Sequence, residues 1–452
     1  MLNPILILVI GVALLIAMII VLRLNAFVAL ITTALIVSLL APGDFADKVG
    51  RVGKAFGSVV GGIGIVIALA AIIGKCLMDS GAADRIVRSF LKLLGEKRAP
   101  TALMLSGFVL SIPVFFDTVF YLLVPLARSL WTRTRRNYVL YVAAIVAGAA
   151  VTHTLVPPTP GPLFMASELK VDVGLMMLIG LLIGLPTAAL GLLVCKIINY
   201  RMDVPMRPYA GQAEPEPLAE DQLPPFWISF APIALPVILI SMSTIANALK
   251  ISGITAQIAA VLGHRDMALL LAAAVAMFVL VYYRKLSFKE LAQRTETALM
   301  SGGIIILITA GGGAFGAMLQ EAGIKDWLES LLGGQGQTVG FVILLTAFAV
   351  AVVMKFAQGS GTVSMITTVT MFAAMGVSPK MLGCNLVYLA MAIGSGSLVG
   401  DWMNNSGFWI FARMSVLTET ETLKSWTILT AALGVIGLGF TLLLAYLMPM
   451  NA

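Results

Sequence analysis

The sequence predicts an all-α polytopic membrane protein: two inverted-topology repeats, each of about five transmembrane helices plus one re-entrant hairpin, with discontinuous helices at the centre. Three observations predict it. Apolar runs of membrane-crossing length recur from end to end, basic segments fall in a parity that fixes which runs cross, and landmarks of the first half return in the second at a nearly constant offset.

Hydrophobic residues make up 60% of the 452 positions and charged residues 11%, with a mean hydropathy of +1.00. A soluble domain could not hide that much apolar surface. Runs of roughly 20 apolar residues match a hydrocarbon core of about 30 Å. Met1–Leu22 lacks a basic n-region and a small-residue cleavage site, so it reads as a permanent first span and not as a cleaved leader. A net charge of +7 would suggest nucleic acid in a soluble chain; here the basic residues sit between spans, where they set orientation. Cys76, Cys195 and Cys384 are scattered within apolar runs and offer neither a disulfide framework nor metal-ligand spacing.

Four basic segments, Arg85–Arg98, Arg128–Arg136, Lys196–Arg207 and Arg284–Arg294, are expected in the cytoplasm by the positive-inside rule. Residues 138–152 then leave the cytoplasm and 174–196 return; 227–247 leave and 266–283 return. Both termini fall outside. The segment 43–57 becomes an external loop despite Lys48, Arg51 and Lys54, an excess softened by Asp44 and Asp47. Residues 101–127 have basic flanks on both sides, and Pro113 with Asp117-Thr118 divides them into two arms of about 10–14 residues, too short to cross alone. A hairpin dipping in from the cytoplasm satisfies the parity, its non-helical tip tolerated where it lines a cavity.

Gly74-Lys-Cys-Leu77-Met-Asp-Ser-Gly81 returns as Gly316-Ala-Met-Leu319-Gln-Glu-Ala-Gly323, an offset of 242 residues (316 − 74), and each is followed by an amphipathic stretch, 82–97 and 324–332. The break at Phe116-Asp117-Thr118 is matched by Gln358-Gly-Ser360-Gly361-Thr362, and Thr154-Leu-Val-Pro157 by Ser397-Leu-Val-Gly400. Opposite charge parity makes the repeat inverted, an arrangement that places a transporter's site at the repeat interface. Residues 1–207 form the first repeat and 227–452 the second. Between them, 208–226 is a Pro-rich, acidic cytoplasmic linker.

The chemistry is expected where helices break. Four prolines between Pro157 and Pro162 remove donors and clash with the preceding turn. The segment Gly394-Ser395-Gly396-Ser397-Leu-Val-Gly400-Asp401-Trp-Met-Asn404-Asn405-Ser-Gly407 breaks by glycines and competing polar side chains. Freed N–H groups suit an anion and freed carbonyls a cation. There is no His-Glu-x-x-His pair, no Gly-x-Ser-x-Gly elbow and no protease-like aspartate pair, so an enzyme is not expected.

Val151-Thr-His153-Thr-Leu-Val-Pro157-Pro-Thr-Pro160-Gly161-Pro162, with Gly394-Ser-Gly-Ser397 and Asn404…Gly407-Phe408-Trp409, resembles the gluconate permease family of the ion-transporter superfamily, from Pro4 to the last span. That resemblance implies a secondary active transporter of the bacterial inner membrane. It implies proton-coupled uptake of a small organic acid, gluconate or a related sugar acid, with protons as coupling ion and no cofactor. Sodium-coupled carboxylate transport, anion exchange and a D-serine-type substrate are the alternatives. The expected partners are the carboxylate and the lipid bilayer, with a homodimer left open. The chain departs from the family's pattern at Thr159 (His there), Phe116-Asp117 (Tyr-Glu), Lys355 (Arg) and Gly361 (Ala). It also carries its carboxylate at Asp401 in place of position 405, one helical turn away on the same face if helix resumes there.

Asp117 is the first candidate for proton coupling, because a carboxylate at a hairpin tip is costly to keep charged and suits proton exchange; the bland reading is a helix cap. Asp401 is the alternative carrier. His153, one of two histidines, suits proton handling or a carboxylate contact, whereas His264 reads as solvated. Thr118, Thr152, Thr154, Thr159, Ser360, Thr362, Ser395, Ser397, Asn404 and Asn405 offer hydrogen bonds to a polyhydroxylated ligand, with Gly161 and Gly361 beside them. Lys355 is a counter-charge for a carboxylate or a snorkelling side chain. Lys75, nearer a span end, is expected to snorkel.

Overall fold

Polar caps fix where the apolar runs begin. Asn3 and Asn25 accept from the N–H groups of Ile5 and Phe27 at 3.0 and 2.9 Å, and Ser287 with Glu290 forms a capping box. The structure, a computed structural model, describes residues 3–202, 204–208, 218–323, 337–403 and 405–450. Its first half runs α1 (Pro4–Ile16, continued by a π-turn at Ala17–Val21), α2 (Ala26–Leu40), α3 (Asp47–Ser80), α4 (Ala82–Leu94), α5 (Ala99–Leu110), α6 (Phe116–Thr134), α7 (Tyr138–Leu155), α8 (Pro160–Glu168) and α9 (Val173–Arg201). The second runs α10 (Phe226–Ala248), α11 (Ile254–Leu262), α12 (Arg265–Arg284), α13 (Phe288–Glu321), α14 (Gln337–Gln358), α15 (Gly361–Ala374), α16 (Val387–Gly396), α17 (Ser406–Ser415) and α18 (Ile428–Leu447).

Among the described residues, seven helical stretches are long and apolar enough to cross a membrane: α3, α7 with α8, α9, α10, α12, α13, and Glu419–Leu447, which ends in α18. Two helices form the interior. Every residue of α16 is buried, and every residue of α7 but His153. Outer helices such as α10 and α12 instead present Ile238, Phe278 and Tyr282 outward. Lipid tails give helices no hydrophobic reason to associate, so close packing must come from small residues. Gly148 shows this between α7 and α5: a Cβ there would lie 1.9 Å from the Met104 carbonyl oxygen and 2.7 Å from the Phe108 nitrogen. Gly148→Ala is expected to force the pair apart and destabilise the fold by about 1–3 kcal/mol. A lowered melting temperature in detergent would show it; an unchanged one would mean that the two helices can separate freely.

Several segments expected to be loops are helical. Residues 43–57 are not an external loop, because α3 already starts at Asp47. Their basic residues serve the end of α2 instead: Arg51 donates to Ser38 O, Pro42 O and Ser38 Oγ at 2.6–2.8 Å, and Lys48 to Leu39 O at 2.8 Å. These carbonyls have no intrahelical partner, and cations there also oppose the negative end of the helix dipole. In Arg128–Arg136 helix continues to Thr134. There Arg128 is buried, giving hydrogen bonds to Tyr138 Oη (3.2 Å) and Arg207 O (2.8 Å). The arms joined near Pro113 are therefore 12 and 19 residues long, unequal where similar short arms were expected. Lys75 does not simply snorkel, since it lies 3.0 Å from Asp79.

The acidic linker is tied down at its described end. From α4, Arg85 donates to Glu220 Oε2 and Pro224 O (both 2.7 Å), and Arg88 to Leu218 O (2.6 Å). Residues 209–217 of the linker, and the stretch 324–332 expected to be amphipathic, lie outside the described residues.

Candidate functional site

Four helices begin around one cavity. The Pro113 turn ends at Phe115, so Asp117 and Thr118 occupy the first turn of α6. The Pro157–Pro160 run stops α7 and restarts helix at Pro160 of α8. Gly359, at φ +83°, lets α14 end, and Ser360 caps α15 by accepting from Val363 N–H at 3.3 Å. Asn405 caps α17, accepting from Gly407 N–H at 2.9 Å. Residues of all four starts line a cavity of about 480 Å³, a volume typical of small-molecule sites. Each helix start carries partial positive charge from N–H groups that have no intrahelical acceptor.

Four ionisable side chains line that cavity among the described residues: Asp117, His153, Lys355 and Asp401. Lys355 Nζ lies 3.2 Å from Asp401 Oδ2 and 2.6 Å from Gly359 O, with both charged side chains almost wholly buried. An aromatic pair sets this register. Phe356 follows Lys355 and Trp402 follows Asp401; their rings stack at 5.4 Å, and Trp402 Nε1 donates to Phe356 O at 3.2 Å. Asp401 also accepts from Asn405 Nδ2 at 2.5 Å. The two residues meet through a non-helical segment, since helix resumes only at Ser406; the expected helical-turn spacing does not apply. Asp117 makes no hydrogen bond or ion pair among the described residues, and the cap of α6 receives no side-chain hydrogen bond. Asp117 thus makes no capping hydrogen bond, while its place in the first turn of α6 sets it against the positive start of that helix. His153 packs edge-on to Phe115 at 6.3 Å, and its Nδ1 is buried without a hydrogen-bond partner among the described residues.

The cavity also brings together Thr118, Thr154, Ser360, Gly361, Thr362, Ser397 and Asn405. Other expected residues lie outside its lining. Thr152 donates to Gly148 O (3.2 Å) within α7 and Thr159 to Val156 O (2.6 Å) just past its end, so both hydroxyls serve the backbone. Gly161 lies against the Met365 side chain, where a Cβ would come within 2.2 Å. Ser395 faces Gly437 of α18. Asn404 lies outside the described residues. Ser301 and Ile305 of α13, and Trp426 from the π-turn leading into α18, were not expected. Nothing in local spacing marks Trp426; Ser301 is the polar member of a Ser-Gly-Gly step in an otherwise apolar run.

Residues 3–447 match the pattern of the GntP family permeases. The chain belongs to the GntP permease family. It is 32% identical over 426 residues to the gluconate permease of Pseudomonas aeruginosa, covering 94% of this chain and 93% of that one. It is 30% identical over 455 residues to the gluconate permease of Bacillus licheniformis, covering 98% and 99%. In three dimensions it is similar to the YdaH transporter of Alcanivorax borkumensis, described as having an unusual topology: TM-score 0.65 at 12% identity, covering 94% of this chain and 98% of that one. The permease is thus a multi-pass membrane transporter and not an enzyme.

Proposed function

We propose that the permease is a proton-coupled symporter that takes up a small organic acid, gluconate or a related sugar acid. The single observation that carries this reading is the cavity where four helix starts meet two carboxylates and one lysine. With Lys355 and both aspartates charged, the lining carries a net charge of −1, and adding an anion would make it −2. Uptake of one proton by Asp117 returns it to −1. Loading is then neutral overall, the condition for moving an anion through a low-dielectric interior. The serine and threonine hydroxyls answer the substrate's hydroxyls. The gluconate names of the relatives agree with that lining.

The architecture we infer is an inverted repeat with re-entrant hairpins at α5–α6 and α14–α15. Equivalent packings recur with the halves exchanged: α2 on α13 and α12 on α3, α5 on α7 and α14 on α16, α8 on α15 and α17 on α6. The two 34-residue helices α3 and α13 run antiparallel, with Arg51–Glu321 at one end (3.6 Å) and Arg294–Asp79 at the other (2.6 Å). Equivalent helices packed antiparallel are what an axis in the membrane plane requires. The chain sits in the bacterial inner membrane with both termini periplasmic and the linker cytoplasmic. Alternating access moves one set of these elements against the other.

In proteoliposomes, an inward proton gradient is expected to drive labelled gluconate accumulation without sodium. Sodium dependence without proton dependence would overturn the reading. With one lysine lining the cavity, glucarate, which adds a second carboxylate, is expected to compete at least tenfold more weakly than gluconate; equal competition would count against Lys355 as the anchor.

A further inference from the structure

Asp401 already does to Lys355 what a substrate carboxylate would do. It lies 3.2 Å from the ammonium, inside the cavity, and both partners belong to its lining. We propose that Asp401 is an internal competitor: it occupies the carboxylate subsite of the empty carrier, and a monocarboxylate substrate displaces it from Lys355. This rests on the organic-acid symport reading above and adds the residue that holds the subsite and sets its affinity.

Three features fit an exchange better than a permanent bridge. Asp401 lies in the non-helical segment between α16 and α17, next to Gly400 at φ +83°, so no helical ladder fixes its backbone. Asn405 Nδ2 gives it a second partner that remains when a substrate carboxylate takes its place on Lys355. Lys355 in turn keeps the Gly359 carbonyl, so its ammonium stays at the start of α15 while its anionic partner changes. The charge count is unaltered by the swap, because Asp401 stays ionised and the coupling proton goes to Asp117. A buried lysine is costly without a nearby anion, and Asp401 supplies one between turnovers.

The test is gluconate binding to the purified permease across pH 5.5–8, by calorimetry or a scintillation proximity assay. Asp401→Asn is expected to bind gluconate at least tenfold more tightly than wild type while keeping its pH dependence. Asp401→Glu, which restores the competitor, is expected within about threefold of wild type. Lys355→Gln/Asp401→Asn is expected to fold and to lose binding. Weaker binding in Asp401→Asn at every pH would make Asp401 a substrate contact and overturn the exchange. A flat pH profile in that variant alone would make it the proton carrier and overturn it as well. Asp401→Ser reads the same sign if the amide folds poorly. Misfolding of both, with the double variant intact, would mark a permanent bridge and sink the proposal. The symport reading fails separately: wild type that binds gluconate with no pH dependence refutes proton coupling, while the order of affinities still decides the exchange.

Discussion

Asp117→Asn is expected to abolish proton-driven accumulation of gluconate while leaving gluconate–gluconate exchange measurable. Asparagine keeps the size of the protonated acid and its hydrogen-bonding capacity but cannot release a proton. The variant therefore resembles the loaded, protonated carrier at every pH. An inward gradient of two pH units stores about 2.7 kcal/mol per proton, enough for about 100-fold accumulation by one coupled proton. In Asp117→Asn the internal-to-external ratio is expected to stay near one under the same gradient. Counterflow, which needs only loaded carriers to reorient, is expected within a few-fold of wild type. The position of Asp117 makes this a strong test: it lines the cavity in the first turn of α6, and no described cation or hydrogen-bond donor pairs with it. A group committed to a structural bridge would not be available for a proton in every cycle. Normal accumulation in the variant would reassign the coupling role, with His153 the next lining residue to examine.

How much of this could be read from the sequence depended on whether the signal was local. Chain breaks were legible. Proline at 157–162, Pro113, Gly359-Ser360-Gly361 and the 394–407 stretch all interrupt helix for reasons within a few residues of themselves, and each proved to be an interruption. The apolar runs were legible for the same reason. Pairings between distant segments were not. Which lysine meets which aspartate was set by Phe356 stacking on Trp402, a contact between residues 46 positions apart. Arg51 was legible as charge but not as a cap on α2, because the Ser38 and Pro42 carbonyls it reaches are presented only once α2 and α3 fold back on each other. Thr152 and Thr159 misled because a hydroxyl beside a break can serve the ligand or the backbone, and composition is the same in both cases. Trp426 and Ser301 were invisible, since the cavity takes them from segments that contain no break into it.

Lys355→Gln carries the other large effect, and its expected result is loss of gluconate uptake by at least 100-fold under any gradient. The lysine is buried, 3.2 Å from Asp401 and 2.6 Å from the Gly359 carbonyl, and it is the one cation lining the cavity among the described residues. Truncating one partner of such a buried charge pair costs roughly 2–5 kcal/mol, much of it from the charge left alone, and about 2.7 kcal/mol corresponds to a factor of 100. Two contributions must be separated. One is the missing anchor for the substrate carboxylate; the other is Asp401, now a buried anion that keeps Asn405 but has lost its cation. Lys355→Arg separates them, because it keeps a cation for both carboxylates and changes only geometry. It is expected to retain folding and measurable uptake, with an altered preference among sugar acids as its planar fork replaces a point charge. Detergent melting curves for both variants read the structural share. If Lys355→Gln melts like wild type yet does not transport, the lysine acts on the substrate. If it melts far lower and Lys355→Arg transports no better, the lysine is a structural partner of Asp401, and the carboxylate must be held by the helix starts of α6, α8, α15 and α17 alone.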